Sequence, residues 1–211
     1  MSKITALRAG RNRGKQVNIS LDGKFAFTLE AEVVAKEKLH VEQLLSPDQI
    51  EALSRTDRLQ RCFNAAVRYL SYRPRSESEL KDRLRRHGFD TDSQEAAITR
   101  LKEQGLLNDV AFAQFWKDNR ESFSPRSQRL IRLELRRKGV ANDILDQVIG
   151  AVDDDDSAYR AALSKARSLP HSDYLSFRRR LGEYLKRRGF SYEVINHIVE
   201  QVWQEQWEKV R

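Results

Sequence analysis

Three times along this chain a leucine, a run of basic or histidine residues and a glycine follow one another. The copies are Leu84-Arg-Arg-His-Gly-Phe89, Leu135-Arg-Arg-Lys-Gly-Val140 and Leu185-Lys-Arg-Arg-Gly-Phe190, spaced 51 and 50 residues apart. Eight residues before each glycine stands another aliphatic residue: Leu80, Ile131 and Leu181. Pro74 and Pro125 both lie fourteen residues before their glycine, where the third copy has Leu175. A period near 50 residues with matched apolar positions is an internal repeat. It confines the chain to folds built by stacking like units.

Each copy reads as the end of a helix. Aliphatic residues four apart share one helical face and dock it on a core. The glycine takes the left-handed position at C′, and the residue after it (Phe89, Val140, Phe190) packs back on the leucine at C3, a Schellman ending. Gly105-Leu106 repeats the device against Leu101. The spacing leaves room for three helices per repeat. They are expected over 58–72, 76–87 and 93–104, then 109–122, 127–138 and 142–150, then 156–168, 173–188 and 191–208. Ser76-Glu-Ser-Glu79 and Asp92-Ser-Gln-Glu95 read as capping boxes. The expected organisation is a mainly α chain with repeats at 58–107, 108–152 and 153–211, forming an elongated, curved array.

Residues 1–57 differ. Val17, Ile19 and Leu21 alternate at period two, Asp22-Gly23 supplies a type I′ turn, and Phe25, Phe27 and Leu29 return. Two strands alone are marginal, so Ile4, Ala6 and Leu7 are assigned to a third, with Gly10 to Gly14 as its loop. From Glu30 the pattern turns helical, and Ser46-Pro47 reads as an N-cap opening a short helix over Asp48–Ser54.

Catalytic chemistry finds little support. Gly10-Arg-Asn-Arg-Gly14-Lys15 has one residue too few for a phosphate loop, is followed by Gln16, and precedes a strand. His40, His87, His171 and His197 lack metal-ligand spacing, so neither a metal nor a cofactor is expected. Asp153–Asp156 reads as a solvated linker feeding the next helix, and Cys62, between apolar neighbours, as a small core residue. Phe112, Phe115 and Trp116, like Trp203 and Trp207, have helix-face spacing and read as packing residues. No apolar run approaches the roughly 20 residues that span a bilayer. With one cysteine and no signal-like start, the expected compartment is the cytoplasm and no membrane association is expected.

What remains is charge. Of 39 basic and 31 acidic residues, 19 and 13 lie in residues 58–152, so the excess is concentrated there. Cations in a helix's last turn complement the macrodipole, which accounts for Arg85, Arg86, Arg136, Arg137, Lys138, Lys186, Arg187 and Arg188. It does not account for Arg73, Arg75, Lys81 and Arg83, for Arg126, Arg129 and Arg132, or for Arg178, Arg179 and Arg180, which lie further toward the N-terminus. Two readings stand: a merely solvated basic face, or a ridge of second helices that binds a polyanion or an acidic protein. Arginine predominates, which suits bidentate contacts to carboxylate or phosphate. The positive charge also favours a soluble monomer.

The stretches Ala66-Val-Arg-Tyr-Leu-Ser-Tyr-Arg-Pro-Arg-Ser-Glu-Ser-Glu-Leu80, Leu101-Lys-Glu-Gln-Gly-Leu-Leu-Asn-Asp109, Phe112-Ala-Gln-Phe-Trp-Lys-Asp-Asn-Arg120 and Leu133-Glu-Leu-Arg-Arg-Lys-Gly-Val140 together resemble the RecX family of recombination regulators. The likeness covers roughly residues 58–205. It is weaker in the third repeat, which lacks the Pro-Arg-Ser start, and Asn108 stands where an aspartate is common. The resemblance implies a non-enzymatic modulator that lies in the groove of the RecA recombinase filament on DNA and restrains its growth, ATP hydrolysis and strand exchange. It also leaves room for non-specific contact with single- or double-stranded DNA. The alternative is a stand-alone DNA-binding protein of tandem helix-turn-helix units, with Arg129 and Arg132 reaching base edges.

Overall fold

The computed structural model describes residues 1–10, 14–150, 152–170 and 173–208, the side chains of 207 and 208 excepted. Arg11–Arg13 of the expected loop, His171 and the Trp207 side chain fall outside the described residues. The chain is mainly α, with three tandem three-helix repeats after a small antiparallel sheet.

The sheet comprises β1 (Ser2–Ala9), β2 (Gln16–Leu21), β3 (Lys24–Glu30) and β4 (Leu44–Leu45) in the order β3-β2-β1-β4. Asp22 and Gly23 turn the hairpin with φ of 50° and 82°, as the type I′ assignment requires. The expected third strand is β1; the two residues of β4 are too few to carry a periodicity in the sequence. Helix α1 (Ala31–Lys36) crosses to α2 (Pro47–Leu70), opened by a Ser46–Gln49 capping box. Ile4, Ile19, Leu29, Val33, Leu45 and Leu53 close this core.

Helix α2 corrects the sequence reading. The helices expected at 48–54 and 58–72 are one continuous element, because Arg55-Thr-Asp57 contains neither glycine nor proline to end the first. Asp57 at the supposed break is buried. Its carboxylate accepts the Glu30 amide at 2.6 Å and lies 2.6 Å from Arg61, which ties the sheet to the helix.

The remaining helices of the repeats are α3 (Glu77–Arg86) and α4 (Thr91–Glu103), α5 (Asp109–Phe123), α6 (Gln128–Arg137) and α7 (Asn142–Ile149), then α8 (Asp154–Ala166), α9 (Tyr174–Arg187) and α10 (Tyr192–Glu208). Each repeat has its own core: Leu80, Leu84 and Leu101 in the first, Ile131, Leu135 and Leu145 in the second, Phe177, Leu181 and Leu185 in the third. Cys62 lies in the first core, as expected, and burial pushes its thiol up to about 12. The Schellman bonds are made from Phe89 to Leu84 and from Val140 to Leu135. The cap of α4 is Asp90, whose carboxylate accepts the Ser93 amide, and not the expected box beginning at Asp92.

The chain forms two compact units, Met1–Arg73 with Leu80–Leu107, and Pro74–Glu79 with Asn108–Arg211. Inside the second unit one joint is built twice. Ser76 Oγ accepts the Glu79 amide at 3.1 Å and donates to the Lys138 carbonyl at 2.5 Å. Ser127 Oγ accepts the Leu130 amide at 3.2 Å, and its own amide donates to the Arg188 carbonyl at 3.0 Å. The Glu77 amide is taken by Asp109 at 2.8 Å, and the Gln128 amide by Asp154 at 2.6 Å. Thus the acidic run is not simply a solvated linker: Asp153 caps α8, while half-buried Asp154 caps α6.

The joint explains two of the three repeat glycines. Gly139 and Gly189 have φ of 78° and 90°, and a Cβ on either would meet Ser78 Cβ at 2.3 Å or Ser127 Oγ at 2.6 Å. Gly88 has φ of 82° but open space around it. Gly88→Ala should therefore cost only the left-handed strain, about 1–2 kcal/mol. Gly139→Ala and Gly189→Ala should cost clearly more, as read from urea unfolding midpoints.

Burial, reinforced by Asp155 and Asp153, raises the Asp154 carboxyl pKa above its ordinary 3.8, although the Gln128 amide pulls it down. Such a carboxyl gives stability that is full below 3.8 and lost as pH rises through the raised native value. Asp154→Asn keeps an acceptor without the charge. It should melt at or above the parent chain at neutral pH, and that gap should close as the pH falls into the carboxylate range. Asp154→Ala orphans the Gln128 amide and should lose about 1 kcal/mol in the acid range, where the parent carboxyl stabilises most, and less at neutral pH.

Candidate functional site

The second helix of each repeat, α3, α6 or α9, turns its aliphatic residues inward and so carries its cations outward. The candidate cations do not share one environment. Three are consumed by the joint or its surroundings. Arg126 pairs with Glu134, Lys138 Nζ lies 2.6 Å from Glu79 Oε1, and Arg188 donates to Ser124 Oγ at 3.0 Å and Pro125 O at 3.1 Å. Each of these three is half-buried.

Glu134 is the hub of this network. It also accepts Trp116 Nε1 and Arg120 Nε, both at 2.8 Å, and Lys138 and Arg120 lie over the Trp116 ring at 4.2 and 4.6 Å. Desolvation, with Arg120 and Arg188 nearby, lowers the Arg126 pKa. The signal in the sequence was the lone carboxylate of α6, which reads as an interruption of a basic helix.

The other candidates are graded. Arg83 lies over the Tyr69 ring, Arg85 pairs with Asp82 at 2.7 Å, and Arg86 Nε donates to the Asp82 carbonyl, all three being exposed. Arg73 and Arg75 are half-buried and engaged. Arg132 pairs with Asp146 across the seam between α6 and α7, and Arg136 Nε donates to Asn142 at 3.0 Å. Arg178 reaches Asn196 at 3.4 Å, and Arg179 faces Asp173 electrostatically. Among the described residues no side-chain hydrogen bond or ion pair engages Arg129, Arg137, Lys186 or Arg187, and all four are exposed.

The aromatic residues pack instead of forming a platform. Phe112 is buried, and Trp203 lies 5.1 Å from Phe177 and 5.3 Å from Tyr174. Among the described residues no three His, Cys, Asp or Glu side chains are grouped to hold a metal ion, and no helix is long and apolar enough to cross a membrane.

Beside the free cations lies an open groove of about 570 Å³ in the second unit. Ile195, Val199 and Phe190 form its apolar lining, while Arg129, Arg179 and Lys186 supply charge.

Three family models match the chain in order, described as the first, second and third three-helix domains of RecX, over residues 62–101, 108–149 and 153–199. The regulatory protein RecX of Clostridium perfringens (strain SM101 / Type A) is 31% identical over 204 residues, covering 94% of this chain and 95% of its own. That of Bacillus pumilus is 27% identical, over 99% of this chain and 81% of its own. A crystal structure of a regulatory protein RecX superposes with a TM-score of 0.71 at 25% identity, over 95% of this chain and all of that one. The structure of RecX from Lactobacillus salivarius gives 0.59 at 26% identity, over 69% of this chain and 97% of that one.

Glu134→Ala strands Arg120 and Arg126 against each other. It should destabilise the chain by about 2–3 kcal/mol, less than a fully buried pair because Arg126 keeps part of its hydration. Glu134→Gln should recover part of that loss, and thermal unfolding distinguishes the two variants.

Proposed function

The chain belongs to the RecX family, and from that premise we propose that it binds the RecA recombinase filament on DNA and restrains it without catalysing a reaction. The observation that carries this reading is the outward set of cations left after the protein's own carboxylates are served, above all Arg129, Arg137, Lys186 and Arg187. Exposed guanidinium and ammonium groups without internal partners keep their full attraction for carboxylates and phosphates. Spread over repeats, several weak contacts multiply through effective concentration.

The partner in this proposal is the RecA filament, with non-specific DNA contact as an accompaniment, and the place of action is the cytoplasm. The repeats bind, and ATP hydrolysis, filament growth and strand exchange are restrained as a consequence. The stand-alone DNA-binding alternative is less well served, because Arg132, one of its two base readers, is held by Asp146.

Recombinase-driven ATP hydrolysis on single-stranded DNA tests the proposal. The parent chain should lower the rate, and no change at saturating protein would overturn it. Reversing Arg137 and Arg187 to Glu should weaken inhibition by roughly tenfold in effective concentration, with helical circular dichroism unchanged. Arg126→Glu should instead reduce the folded fraction, which separates binding cations from joint cations.

A further inference from the structure

The groove between α9 and α10 has no counterpart charge pair. Counting from the repeat glycines, Lys81 and Glu95 in the first repeat and Arg132 and Asp146 in the second correspond to Gly182 and Asn196 in the third. In the second repeat that pair spans the seam between the second and third helices. In the third both of those charges are gone, Arg178 reaches Asn196 at 3.4 Å from one turn earlier in α9, and the rest of the space between α9 and α10 is open.

Gly182 is not demanded by the backbone. It lies mid-helix in α9, its φ is not positive, and a Cβ would meet Ile195 Cγ2 at 3.6 Å, an ordinary contact. Glycine in a helix interior is less favourable than alanine. The helix therefore carries a residue that weakens it and that no local packing requires, and the gain is an uncovered groove. Leu175 and Tyr192 stand at its edge, 71% and 73% exposed. Cations from two repeats surround it, Arg129 from the second and Arg178, Arg179 and Lys186 from the third, against the single carboxylate of Glu183.

We propose that this groove docks an acidic peptide segment that lays an aliphatic side chain against Leu175 and Tyr192 and sets flanking carboxylates against Arg129 and Lys186. This deepens the filament reading and rests on it for the identity of the partner protein, on which such a segment would lie. Charge complementarity selects the acidic flanks, and the exposed apolar rim of Leu175 and Tyr192 selects the anchor, as in helix-in-groove recognition. A single nucleic-acid strand fits less well. Base stacking needs exposed aromatic faces in series, and Phe190, 5% exposed, offers none beside Tyr192.

The test refills the groove with the second repeat's own solution. Gly182→Arg combined with Asn196→Asp adds one charge of each sign, removes no rim cation, and sets a carboxylate between Arg178 and the new arginine where Arg178 now meets Asn196. Fluorescence anisotropy of the full chain would be read with three probes: a labelled helical peptide with leucines on one face flanked by glutamates, its lysine-for-glutamate counterpart, and a labelled oligothymidine. The parent chain should bind the acidic peptide and not the basic one. The refilled variant should bind it about tenfold more weakly, with oligothymidine binding and the melting curve unchanged. Leu175→Ser and Tyr192→Ser, both at exposed positions, should weaken the same probe and serve if the refilled variant does not fold.

Equal binding of the acidic peptide by parent and refilled chains, or no binding by the parent, overturns the proposal. So does a refilled groove that displaces oligothymidine instead, or a parent dimer in sedimentation that the refilling dissolves. Filament co-sedimentation run alongside separates the two readings. A chain that takes the peptide through its groove but ignores the filament keeps the groove and loses the filament.

Discussion

The organisation of the second unit depends on how helix ends are satisfied where repeats meet. A helix leaves its last carbonyls and first amides without intrahelical partners, and burying them unpaired is costly. Here the two deficits cancel. The carbonyl ends of α6 and α9 come to Ser76 and Ser127, at the amide ends of α3 and α6, while Asp109 and Asp154 take the remaining first-turn amides. The aliphatic cores of the second and third repeats are separate clusters, so a sliding contact between them would cost little by itself. Directional bonds through a serine and an aspartate fix the register instead. At the position of Ser76 and Ser127 the third repeat has Phe177, buried against Trp203, with its amide donated to the Asp173 carbonyl.

This joint also sorts the positive charge. A net of +8 suggests a uniformly basic surface, yet part of the arginine is structural. Arg120 and Arg126 converge on Glu134, Lys138 on Glu79, and Arg188 on the Ser124–Pro125 turn. These side chains are held by partners that any external ligand would have to displace. The cations that face outward alternate with them along the same helices, one turn or less away. A basic helix is thus two surfaces at once, and only one of them is available for recognition.

The parts legible in the sequence were those written locally. Asp22-Gly23 fixed the hairpin through backbone preference, and the leucine–glycine pattern fixed the helix ends and the repeat length. The parts that were not legible depend on partners far along the chain. Nothing within 58–107 says that Ser76 awaits a carbonyl 62 residues later, and nothing in Asp153–Asp156 distinguishes the residue that caps its own helix from the one that caps another. The continuous α2 was missed for the opposite reason. A serine and a threonine inside a helix resemble a boundary until the buried Asp57 shows what the segment packs against. Among the candidate cations, composition had no means of telling a joint arginine from one without an internal partner.

Repetition ordinarily ties units to one design, since a change that suits one repeat must still fit its neighbours. Here the positions that join repeats and the positions in the seam between second and third helices are different residues. Ser127, Gly139 and Asp154 belong to the joint, while Arg132 and Asp146 belong to the seam. A seam can therefore lose its charge pair without disturbing the joint, as it does at Gly182 and Asn196 while Gly189 still seats against Ser127. The frame is kept by a few polar bonds and three aliphatic cores, and the faces between them are free to diverge. That separation lets two copies of one helical unit, the second and third repeats, form one closed, ion-paired seam and one open, cationic seam within the same compact unit.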